Sequence, residues 1–138
     1  MRDDTQAAIA KLRLDKGSTK RYLKQAALIE ELESRLSPER TVKVVLYTVG
    51  HGGPAGSDSG ILLISDYGLH WKGESHGSAR FDIPWEKLHR AEVTEDRSGF
   101  DLVAESSDPA YRLSFRLYDK RERADLVREV VKNSQPLL

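Results

Sequence analysis

Gly60-Ile61-Leu62-Leu63-Ile64-Ser65-Asp66-Tyr67-Gly68-Leu69-His70-Trp71-Lys72 reads as a strand, a tight turn and a second strand. Four consecutive aliphatic residues bounded by turn formers fit an extended segment, and Asp66-Tyr67-Gly68 supplies the turn chemistry. Leu69 and Trp71 share one face of the second strand, so His70 is expected on the other, toward solvent. Upstream, Thr41 to Val49 is β-branched and apolar enough for a strand buried on much of both faces. Gly50 to Ser59 between them is expected to be a long flexible loop.

Downstream, the period of two continues. Phe81 and Ile83 mark a fourth strand, broken by Pro84-Trp85-Glu86-Lys87, and a fifth runs from Leu88 to Glu95. Phe100, Leu102 and Ala104, then Tyr111, Leu113, Phe115 and Leu117, alternate cleanly on either side of a turn at Ser106-Ser107-Asp108-Pro109. The pattern then becomes helical. Asp119 and Glu122 form an Asp-x-x-Glu capping pair, Ala124, Val127 and Val131 with Leu126 and Val130 make a stripe, and Pro136 ends the element. The first forty residues are also helical. A short helix capped at Asp4-Thr5 carries Ala8, Ile9 and Leu12 up to Gly17. A second starts near Ser18 and carries the stripe Tyr22, Ala26, Ile29, Leu32 and Leu36 up to Ser37-Pro38.

Composition narrows the function classes. With 22 basic and 22 acidic residues the net charge is zero, so attraction to nucleic acid or an anionic membrane must come from a local patch. The absence of cysteine excludes disulfides and thiolate metal sites. No apolar run is long enough to span a bilayer, and the acidic start at Met1-Arg2-Asp3-Asp4 does not read as a signal peptide. The expected location is the cytoplasm, with peripheral attachment to a membrane as the alternative.

Gly60 to Leu69 and Phe81-Asp82-Ile83-Pro84-Trp85-Glu86-Lys87-Leu88 resemble two segments of pleckstrin-homology-like domains, in particular bacterial and GRAM-type members. The resemblance covers about residues 36–135. It implies a mainly β, α+β fold: a bent, seven-stranded antiparallel barrel whose open corner is plugged by the C-terminal helix, with one or two extra N-terminal helices. Residues 1–37 would then be an extension and residues 38–138 the domain. Members of the superfold that bind phosphoinositides use basic residues on the first two strands and the loop joining them. Here Gly50 to Ser59 has no Lys or Arg, and only Lys43 and Lys72 are basic on the neighbouring first and third strands. Other members bind peptides or partner domains along an edge or groove.

No catalytic motif emerges. Gly50-x-Gly52-x-x-Ala55 lacks the following helix that a phosphate cradle needs. Gly56-Ser57-Asp58-Ser59-Gly60 has Asp58 where a nucleophile elbow needs serine. His51, His70, His76 and His89 lack metal-ligand spacing, and the carboxylates Glu30, Glu31 and Glu33 read as solvated surface. No cofactor and no metal are expected, although a small hydrolase built on His51 stays formally open. One cluster stands out. Lys11, Arg13, Lys16, Lys20, Arg21 and Lys24 place six cations within fourteen positions, opposed there only by Asp15. The expected function is a non-enzymatic binding module for a protein or peptide. Self-association through the N-terminal helices and attachment to anionic lipid through the basic segment are the alternatives. Nucleic acid is disfavoured, because Tyr22, the one aromatic in the cluster, belongs to the apolar stripe.

Overall fold

The computed structural model describes residues 1–75, 77, 80–107, 110–118 and 121–135. His76, Asp108, Pro109, Asp119 and Pro136, each given a role above, lie outside the described residues. Three helices, α1 (Asp3–Lys11), α2 (Lys16–Lys24) and α3 (Ala26–Glu33), precede the strands. The strands are β1 (Val42–Gly52), β2 (Gly56–Ser65), β3 (Gly68–Gly73), β4 (Arg80–Pro84), β5 (Leu88–Glu95), β6 (Phe100–Ser106) and β7 (Tyr111–Leu117), and helix α4 (Arg121–Ser134) follows. All seven strands belong to one antiparallel sheet in the order β4-β3-β2-β1-β7-β6-β5. The sheet is open, with β4 and β5 as its edges. The arrangement is compatible with a pleckstrin-homology-like fold.

Both faces of the β1–β3 region are buried. On the inner face Leu46, Leu62 and Trp71 pack toward β7, where Trp71 and Phe115 bring their ring centroids within 5.3 Å. On the outer face Val45, Ile61 and Leu63 are equally inaccessible, because α1 and α3 lie across them. This two-sided burial explains the unbroken Ile61-Leu62-Leu63-Ile64 run. Helix α4 buries Ala124, Val127 and Val131 as its stripe predicts, and it packs on β5 and β1.

The glycine-rich segment differs from expectation. It is a continuation of the β1–β2 ladder, with Gly50 opposite Asp58, His51 opposite Ser57 and Gly52 opposite Gly56 around a 3-10 turn at Gly53–Ala55. Main-chain pairing needs no apolar side chains, so a polar sequence can still form strand. Gly52 has φ of 89°, and a Cβ there would come within 2.2 Å of the Arg112 carbonyl oxygen. The glycine is needed for left-handed backbone and close approach, with no ligand required to explain it.

The N-terminal boundaries also shift. Asp4 and Thr5 sit inside the first turn of α1 and do not cap it. The Asp4 carboxylate accepts the Val42 amide at 2.8 Å, and the Thr5 hydroxyl donates to Glu33. Gly17 lies in the first turn of α2, while the chain leaves α1 through Arg13 at φ 50°. The expected second helix divides at Gln25, giving α2 and α3.

Candidate functional site

The six cations of the basic cluster are all exposed. Lys11 closes α1, where a positive charge complements the helix dipole. Asp15 caps α2, accepting the Ser18 amide at 2.7 Å, and that hydrogen bond is the leading reason its carboxyl titrates below the ordinary value. Within α2, Lys16, Lys20 and Lys24 recur at every fourth residue, so they form one ridge. Leu23, 64% exposed, sits beside that ridge. Arg21 turns instead toward a cleft that it shares with Tyr47, Thr48 and Tyr118.

Helix α2 is pinned by Tyr22, whose ring is buried and whose hydroxyl accepts the Tyr47 amide at 3.0 Å. The β1–β7 ladder pairs His51 with Ser114 and Val49 with Arg116, so its next bonded pair would join Tyr47 to Tyr118. The phenol of Tyr22 takes that place and ends the ladder. The stripe containing Tyr22, Ile29 and Leu32 is therefore covered by the chain's own sheet.

His70 does not meet solvent. It does face away from Leu69 and Trp71, as alternation requires, but α3 covers that face and leaves His70 3% exposed. Its Nε2 lies 2.7 Å from Ser65 Oγ and its Nδ1 2.6 Å from Asp82 Oδ1. Ser65 Oγ already accepts the amides of Tyr67 and Gly68 at 3.1 and 3.3 Å. The hydroxyl proton therefore points to Nε2, and Nδ1–H donates to Asp82. The order Ser-His-Asp has the outline of a catalytic triad, but Ser65 is fully buried. The two amide donors are aimed at the hydroxyl oxygen itself, whereas an oxyanion hole aims them at the substrate oxygen. The constellation ties β2, β3 and β4 together. No spacing in the sequence announces it, because the three residues meet only through cross-strand register.

Burial would raise the Asp82 pKa, but hydrogen bonds from His70 and Arg80 outweigh it, and the carboxyl titrates below its ordinary value of 3.8. A depressed folded-state pKa adds stability above the unfolded value, and that stability is lost as pH falls through the folded one. Asp82→Asn is expected to lower unfolding free energy by roughly 1–3 kcal/mol at pH 7. The deficit should shrink below about pH 4. Urea titrations at both pH values check this, and a deficit that does not change with pH contradicts it.

Glu33 also departs from expectation. It is 9% exposed, and it accepts the Thr5 hydroxyl and, at 2.9 Å, the Arg2 amide. Glu30 and Glu31 are exposed as expected. His51 is exposed at the end of β1 and does not belong to the Ser65–His70–Asp82 cluster. Among the described residues, no three His, Asp or Glu side chains gather in a group able to hold a metal ion, and no helix is long and apolar enough to cross a membrane. The chain matches no protein-family model and no curated protein.

Proposed function

We propose that this chain is a pleckstrin-homology-like binding module that docks an acidic protein or peptide on the outer face of α2. The carrying observation is the ridge of Lys16, Lys20 and Lys24 around exposed Leu23, on a helix whose opposite side is locked to the sheet by Tyr22. Lysines four residues apart repel one another by roughly 0.2–0.5 kcal/mol per pair, which an approaching anionic surface relieves. A pre-ordered helix also avoids the entropy cost of ordering a flexible arm on binding. Leu23 supplies an apolar anchor amid the charge. The lack of Lys and Arg from Gly50 to Ser59 supports a partner other than a lipid headgroup at the β1–β2 end.

The second reading is an anionic membrane surface, favoured by the same exposed Leu23 among lysines, an arrangement suited to shallow insertion. One pair of experiments separates the two. Cross-linking in the native host should trap a partner through α2, and Lys16→Glu/Lys20→Glu/Lys24→Glu should abolish the cross-link without changing the circular dichroism spectrum. Co-sedimentation with phosphatidylserine vesicles at low salt should show no binding. Vesicle binding that is lost with Leu23→Ser would replace the protein reading with the membrane one. A partner trapped equally by the triple variant would remove α2 from the function altogether.

A further inference from the structure

The cleft between α2 and the point where β1 and β7 part is separate from the lysine ridge. It encloses about 240 Å³, near the lower limit for a small-ligand site and enough for one ring with a short side chain. Leu14, Val49 and Leu117 give it apolar walls, and Tyr22, Tyr47 and Tyr118 give it aromatic ones. The phenols of Tyr22 and Tyr47 are already engaged, with the Tyr47 amide and with Glu74 respectively, so these rings act as walls.

Besides the phenols, the polar residues lining the cleft are Ser18, Thr48, Arg21 and Arg116. Thr48 is 2% exposed and shares the inner face of β1 with Leu46, so its hydroxyl points away from the side on which Tyr47 and Val49 stand. Two arginines, Arg21 and Arg116, line the cleft, and among the described residues no acidic one does. Arg116 is held by Asp96 at 2.7 Å and Asp101 at 3.1 Å, and its guanidinium lies 4.9 Å from the centre of the Tyr118 ring. Its charge is thus largely neutralised from outside the cleft. Arg21, exposed at the rim, is the cation left to meet an incoming anion.

We infer that this cleft binds a small amphipathic anion, an aromatic carboxylate in chemical class. The ring lies between Tyr22, Tyr47 and Tyr118, and the carboxylate pairs with Arg21. The inference does not depend on what docks on the lysine ridge.

Titration of the ¹⁵N-labelled full chain with phenylacetate, followed by amide chemical shifts, tests it. Saturable shifts are expected at Thr48, Val49, Leu117 and Tyr118. Arg21→Gln should weaken phenylacetate by about tenfold, the loss of one charge-assisted contact. It should leave the neutral probe phenylacetamide unaffected, which separates loss of the ion pair from damage to the cleft. Shifts that do not saturate, shifts centred elsewhere, or equal weakening of both probes by Arg21→Gln would overturn the assignment.

Discussion

Removal of residues 1–36 is expected to abolish the folded state, although the strands and α4 would all remain. The outer face of β1–β3 carries Val45, Ile61 and Leu63, each at 0% exposure, and the elements that cover it are α1 and α3. The deletion also strips main-chain partners. The Val42 amide loses the Asp4 carboxylate, the Tyr47 amide loses the Tyr22 phenol, and the Arg123 guanidinium loses the carbonyls of Leu12 and Arg13. Unpaired polar groups and bared aliphatics act in the same direction. Point substitutions give the graded form of the result. Ile29→Ala and Leu32→Ala, both at fully buried sites, should each cost about 2–5 kcal/mol. Domains of ordinary stability hold only about 5–15 kcal/mol, so the double variant approaches unfolding. Urea denaturation and amide dispersion measure both forms. A deletion variant that unfolds cooperatively and keeps dispersed amide shifts would show that α1–α3 are an appendage.

This dependence was only half legible in the sequence. The apolar first strand announced burial on much of both its faces, the run Ile61-Leu62-Leu63-Ile64 announced only a strand, and the stripe Tyr22-Ala26-Ile29-Leu32 announced a helix face in need of a cover. Alternation placed His70 on the right face of β3. What alternation cannot give is what lies against that face, so burial of His70 under α3 was invisible, as was the reach of Thr5 to Glu33. The strand character of Gly50 to Ser59 was hidden for a related reason, since its pairing runs through main-chain atoms that every residue carries. The basic cluster was legible residue by residue. Its division into an outward ridge of Lys16, Lys20 and Lys24 and an Arg21 turned to a cleft was not, because that depends on Tyr22 meeting the Tyr47 amide across twenty-five positions of chain.

Gly68→Ala should be the most damaging single-methyl substitution in the turn between β2 and β3. A Cβ at Gly68 would lie 1.9 Å from the Ile83 carbonyl oxygen and 2.8 Å from Pro84 Cα, both backbone atoms that no rotamer change can move aside. Gly68 pairs with Pro84 and Leu69 with Ile83, so relief requires β4 to withdraw from β3. Withdrawal would part Asp82 from His70, now 2.6 Å apart, and would disturb Trp85, whose indole donates to the Ser65 carbonyl at 2.9 Å. A loss of about 3 kcal/mol is expected, the upper end for an overpacked site, because strand pairing and the buried polar network fail together. The control is Gly17→Ala in the first turn of α2, where the added Cβ meets only Asp15 Oδ1 at 3.5 Å. Better helix propensity should leave that variant unchanged or more stable by up to about 1 kcal/mol. Thermal unfolding of the two variants side by side decides the matter. If Gly68→Ala melts with the parent, β4 is free to move away from β3, and Ser65, His70 and Asp82 do not lock the three strands as their distances imply.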